Sequence, residues 1–142
     1  SHFSLWAMLA SPLIAGNDLR SMSDTTRHIL TNKEMIAINQ DKLGYEALRM
    51  LDTGKLNVYI KKLENNEWAM LFLNRTDNTM TYTHDWDYYP MKDDDMNAAV
   101  NFSEEKFNYR DVWKGTKGNT LKPTTFKIPP HDVVVIRLTP RK

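Results

Sequence analysis

Apolar residues repeat at two different periods in this chain, and the change falls near Gly44. Before it, Phe3, Leu5, Trp6, Met8 and Leu9 recur at helical spacing and Pro12 marks a stop. Leu13-Ile14-Ala15 is a short apolar run ended by Gly16-Asn17-Asp18, which predicts a buried strand leading into a loop. Ser23 is placed to cap a helix beginning at Asp24, and Asn32 to cap a second one containing Met35, Ile36 and Ile38. The order helix, strand, helix belongs to an α/β arrangement. One strand cannot make a parallel sheet, and its apolar helix needs a cover from elsewhere.

After Gly44 the period is two. Leu56–Ile60, Trp68–Leu73, Met80–Thr83 and Val133–Leu138 read as strands, separated by polar turns at Glu64–Glu67 and Asn74–Asn78. Phe126 and Ile128 lead into Pro129-Pro130, and Lys114 to Gly118 forms a glycine-containing turn. The expected fold is therefore mainly β: an antiparallel β-sandwich over residues 45–142, preceded over 1–44 by a helix-strand-helix unit.

Charge and composition exclude several functions. The net charge is +1, so no broad basic surface points to nucleic acid. No apolar run has the length of a membrane span. There is no cysteine, hence no disulfide, thiolate nucleophile or thiolate metal site. His2, His28, His84 and His131 lack metal-ligand spacing, and no cofactor motif is present. Trp86, Tyr88 and Tyr89, interleaved with Asp85 and Asp87, suit either a sugar-stacking platform or core packing, and packing is the commoner use. Asn74-Arg75-Thr76 and Asn101-Phe102-Ser103 match the glycosylation acceptor pattern.

Three segments resemble the α-galactosidases of glycoside hydrolase family 27: Phe3-Ser4-Leu5-Trp6-Ala7-Met8 through Ser11-Pro12-Leu13-Ile14; Gly16-Asn17-Asp18-Leu19-Arg20; and Leu30-Thr31-Asn32-Lys33-Glu34 through Asn39-Gln40-Asp41. Asp111-Val112-Trp113 and Ile128-Pro129-Pro130-His131-Asp132-Val133 agree more loosely. The resemblance departs at Lys42, where the family usually has proline, which leaves the rigidity of the junction open. It implies that residues 1–44 end a catalytic (β/α)8 barrel. Residues 3–11 would be the seventh helix, 13–17 the eighth strand and 23–40 the eighth helical region.

It further implies hydrolysis of terminal α-linked galactose with retention of configuration, by two carboxylates about 5–5.5 Å apart. In the family these aspartates belong to earlier barrel strands. No catalytic residue is therefore assigned here, and the chain alone is expected to be inactive. Asn17 and Asp18, at the carboxyl end of the predicted eighth strand, are the candidate substrate-side residues, acting behind the sugar contacts, though the commoner use of such a pair is to fix the loop and cap the following helix. Related enzymes acting on α-linked N-acetylgalactosamine differ in pocket residues upstream of this chain, so that activity stays open beside the leading one. The alternative is a non-catalytic sandwich that binds carbohydrate or protein. The chain starts at Ser1, which suggests a piece of a longer product and leaves a secreted or periplasmic destination open. If Phe3, Leu5, Trp6 and Met8 were uncovered, the first helix would promote self-association.

Overall fold

The computed structural model describes residues 2–9, 23–87, 91–93 and 98–141. Among the described residues three short helices come first: α1 (His2–Met8), α2 (Asp24–Leu30) and α3 (Lys33–Asn39). Ten strands follow among the described residues, beginning with β1 (Leu48–Asp52), β2 (Leu56–Lys62) and β3 (Trp68–Asn74). Then come β4 (Met80–His84), β5 (Met91–Asp93), β6 (Ala98–Val100) and β7 (Phe107–Asp111). The last three are β8 (Lys117–Asn119), β9 (Thr124–Ile128) and β10 (Val133–Pro140).

Six strands form one antiparallel sheet in the order β1-β2-β3-β10-β7-β8, and β4-β9 and β5-β6 make two smaller two-stranded sheets. The mainly β, antiparallel class read from the sequence is the one observed. Turn chemistry sets the hairpins. Between β2 and β3 the chain reverses through a 3-10 turn at Glu64–Asn66, where Asn65 and Asn66 take φ values of 63° and 56°. Asparagine tolerates this left-handed region better than most residues.

The large sheet is covered on both faces, which explains why Trp68–Leu73 and Val133–Ile136 read as nearly unbroken apolar runs. Alternate residues sort onto the two faces. Val58, Ile60, Trp68, Met70, Phe72, Phe107, Val134, Ile136 and Leu138 point into the sandwich core, where they meet Trp86, Phe102, Phe126 and Ile128. Ala69, Leu71, Val133 and Val135 point the other way, into a second core with Ala7, Met8, Met35 and Ile38. The helices thus find their cover on the sandwich itself. Burying Met8, Met35 and Ile38 contributes about 1.5–3 kcal/mol each.

The four residues invoked for self-association are partly covered. Met8 is fully buried, while Phe3, Leu5 and Trp6 are half-buried, so α1 does not present the four as an open patch. The first helix ends at Met8 rather than near residue 11, and the predicted strand at 13–17 lies outside the described residues. β1, absent from the sequence reading, carries a bulge between Arg49 and Leu51 that breaks its alternation. Lys117 and Gly118, expected in the turn from Lys114 to Gly118, instead pair with β7 as part of the short edge strand β8.

Candidate functional site

Asn17, Asp18 and Arg20 lie outside the described residues, between α1 and α2. What the structure does describe is how those two helices are held. After β7 the chain turns at Asp111, whose carboxylate accepts the backbone N–H groups of Trp113 and Lys114, both at 2.9 Å. Gly115, at φ 76°, completes the turn, and its N–H donates to the Asp111 carbonyl at 2.8 Å. An Asp followed by Val-Trp-Lys-Gly is well made for this reversal, because a short carboxylate reaches back to neighbouring amides.

The turn aims the Trp113 indole at the helices. Its Nε1–H donates to Ser4 Oγ of α1 at 3.0 Å. Its ring meets Phe3 of α1 edge-on and His28 of α2 at a tilt, each with centroids 6.5 Å apart. One residue before the turn, Arg110 Nε donates to Glu34 of α3 at 2.6 Å. That pair is partly solvated and contributes little on its own.

The other ends of the helices are held by Lys61 of β2. Its side chain leaves the sheet on the helix side and is 1% exposed. Nζ donates to the carbonyls of Ile38 in α3 at 2.7 Å and Ala7 in α1 at 3.2 Å. These carbonyls sit in last helical turns, where no intrahelical N–H remains for them and the helix dipole favours a cation. The Met8 carbonyl accepts from Ala47 N–H at 2.9 Å. Burial pushes the Lys61 ammonium below its ordinary pKa, against the opposing pull of Asp41. Asp41 itself accepts the Glu64 N–H with both carboxylate oxygens, at 3.0 and 3.1 Å, and the Leu43 N–H at 3.1 Å. The exit from α3 is therefore clamped to the β2–β3 turn next to Lys42, where the junction lacks proline.

Trp86 is 3% exposed. Its Nε1–H donates to Thr124 Oγ1 at 3.0 Å, and its ring packs against His84 and Phe102 with centroids 4.6 and 5.3 Å away. It is a core residue and offers no face for stacking, while Tyr88 and Tyr89 lie outside the described residues. His131, exposed and at φ 53°, has Nε2 2.6 Å from Asp77 Oδ1. Asn74 is fully buried, its amide donating to the carbonyls of Asn78, Ile128 and Pro129. It is thus shut off as a glycosylation acceptor. Among the described residues there is no group of three or more His, Asp or Glu placed to hold a metal, and no helix long and apolar enough to cross a membrane.

Sequence reasoning missed Lys61. Lys61 falls in step with Asn57 and Tyr59, away from the apolar Leu56, Val58 and Ile60, so no local signal marked it as buried.

Residues 53–138 match the family model for the alpha galactosidase C-terminal beta sandwich domain, and residues 1–41 match that for alpha galactosidase A. Over 141 residues the chain is 56% identical to alpha-galactosidase A of Cellvibrio japonicus, covering 99% of this chain and 35% of that protein. It is 33% identical over 142 residues to the alpha-galactosidase of Cyamopsis tetragonoloba, covering 99% of this chain and 32% of that one. Among solved structures, alpha-galactosidase I from Mortierella vinacea superimposes with a TM-score of 0.82 at 31% identity. That match covers 97% of this chain and 34% of the fungal one. The chain spans about a third of the length of the curated relatives it matches.

Proposed function

Because this chain belongs to the α-galactosidases of glycoside hydrolase family 27, we propose that it is the barrel-closing and buttressing part of a retaining enzyme that removes terminal α-linked galactose. In this reading residues 1–44 end the (β/α)8 barrel and residues 45–142 form the sandwich behind it. The observation that carries it is the double fastening of the helices. Trp113, in the turn after β7, holds α1 and α2, and Lys61 of β2 holds the ends of α1 and α3. The sandwich thereby fixes α1, α2 and α3 against itself through a buried ammonium and an indole. In catalysis a shift of about 1 Å can cost about a hundredfold in rate.

The chemistry belongs to the whole enzyme: a carboxylate attacks the anomeric carbon, an acid protonates the leaving oxygen, and water then releases the sugar. In the proposed reading both carboxylates come from barrel strands outside this chain, with Asn17 and Asp18 supporting the sugar pocket from behind. Asp18→Asn in the full-length enzyme then lowers activity but leaves a trapped glycosyl-enzyme detectable; normal folding with no such adduct would contradict the assignment.

Hydrolysis of a chromogenic α-galactoside tests the proposal as a whole. Turnover is expected from the full-length enzyme and none from the 142-residue chain. Robust turnover by the chain alone would show that the carboxylates are placed wrongly.

A further inference from the structure

β1 is an edge of the large sheet, and β4 belongs to the two-stranded sheet packed across from it. Between them lies a cavity of about 270 Å³. Met50 and Leu51 of β1, Val58 of β2, Tyr82 and His84 of β4, and Asp85 just beyond β4 line it. In a regular strand Met50 and Leu51 would point to opposite faces. The bulge in β1 leaves Met50 outside the Cα register with β2, and both side chains then reach the same cavity. Bulges are enriched beside binding sites because they re-aim side chains in this way.

We propose that this cavity binds the terminal pyranose of an α-galactoside, with the ring's C–H face on Met50, Leu51 and Val58 and its hydroxyls on His84 and Asp85. His84 is 7% exposed and held by its neighbours: Nδ1 is 3.0 Å from the Tyr82 hydroxyl, and the ring packs edge-to-face on Trp86. Nε2 has no hydrogen-bond partner among the described residues, on a ring that lines the cavity. Burial pushes the His84 pKa down to about 4 against the opposing charge of Asp85, so the imidazole is neutral near pH 7. Either neutral tautomer then leaves Nε2 one hydrogen-bonding role, donor or acceptor, and a sugar hydroxyl satisfies both.

The chemistry of the walls narrows the ligand. An anion would meet the Asp85 carboxylate, and a purely apolar molecule would strand Nε2 of the buried His84. A pyranose has an apolar face and a polar rim, as the cavity does. Drug-sized ligands occupy pockets of about 300–1,000 Å³, so this smaller space suits a single ring. The choice of a galactosyl unit rests on the function proposed above.

Titration calorimetry of the 142-residue chain with methyl α-galactoside tests the site. Saturable binding with a millimolar Kd is expected. Asp85→Ala, at an exposed position, should weaken it about fivefold, the effect of one lost hydrogen bond. Leu51→Trp, filling the mouth, should abolish it, with the thermal midpoints of both variants confirming the fold. No heat at 50-fold the expected Kd, or affinity unchanged in both variants, would overturn the site. Saturation by methyl α-glucoside in place of the galactoside would overturn the ligand class. Because the readout is heat and not turnover, failed hydrolysis by the full-length enzyme leaves this result separately readable.

Discussion

The Lys61 ammonium lies 2.7 Å from the carbonyl oxygen of Ile38, in the last turn of α3, and reaches the Ala7 carbonyl of α1 as well. A single cation from the sandwich thus supplies a donor to the last turns of two helices that arrive from different parts of the chain. Lys61→Met keeps the stem but strands both acceptors in a buried setting. Leaving a buried acceptor unpaired costs about 1–3 kcal/mol. The variant is expected to lose about 2–4 kcal/mol of unfolding free energy in urea, with α1 and α3 exchanging their amide hydrogens faster than β3 and β10. Equal acceleration across sheet and helices would mean that Lys61 supports only the general fold.

His84 makes stability depend on acid. Its folded pKa is about 4, against 6.5 for the free side chain. Above pH 6.5 both folded and unfolded chains carry a neutral ring, and the full stability is present. As pH falls from 6.5 towards 4 the unfolded chain takes up a proton that the folded chain refuses, so stability declines through that window and levels off below it. The shift of about 2.5 pH units corresponds to about 3 kcal/mol at most. Urea unfolding of the native chain and of His84→Gln between pH 7 and pH 4 checks this. The native chain should lose stability relative to the variant as pH falls, and parallel curves would place the titration elsewhere.

Trp113 and Ser4 should be energetically coupled. The indole N–H donates to the Ser4 hydroxyl at 3.0 Å, and Ser4 is buried. Ser4→Ala leaves the indole donor unpaired, and Trp113→Phe leaves the hydroxyl unpaired; each should cost about 1 kcal/mol or somewhat more. In the double variant both groups are gone, so its loss should be smaller than the sum of the single losses. Additive losses would show that the bond does not contribute. Trp113→Ala also removes the ring contacts to Phe3 and His28, and a loss of about 3 kcal/mol is expected from the cavity left behind.

What could be read ahead of the structure divides along physical lines. Strands whose alternation is regular, such as β4, or whose apolar run is long, such as β3 and β10, announce themselves by period. Asn32 was legible as a cap because capping is local, and its side chain does accept the Met35 N–H at 2.9 Å. β1 was hidden by its bulge, and β5, β6 and β8, at three residues each, are too short to show a period. The continuous apolar character of β3 was visible, but its cause, a second core under the helices, depends on contacts between residues far apart in sequence. The same holds for Lys61: a lysine in a strand reads as solvated, and only the arrival of two helix ends at its tip gives it a role. The cavity beside His84 needed the bulge in β1 and the partner strand β4 together, so neither segment alone could indicate it.

Gly118 offers the sharpest packing test. It sits opposite Tyr109 in the β7–β8 pair, and a Cβ built on it would overlap the Tyr109 ring. Glycine is needed here for the close approach of an aromatic ring. Tyr109 packs against Trp86 and Phe126 of the sandwich core, with centroids 6.5 and 6.2 Å away. Gly118→Ala must therefore push the ring inward or lift β8 off β7. Overpacking of this kind costs about 1–3 kcal/mol. Tyr109→Leu removes the obstructing part of the ring and leaves a smaller cavity cost of its own. Combined with Tyr109→Leu, the alanine should lose most of its penalty. Thermal unfolding of the two single variants and the double variant measures this coupling; an alanine penalty of the same size in both backgrounds would place the strain in the backbone of β8 and not in the contact with Tyr109.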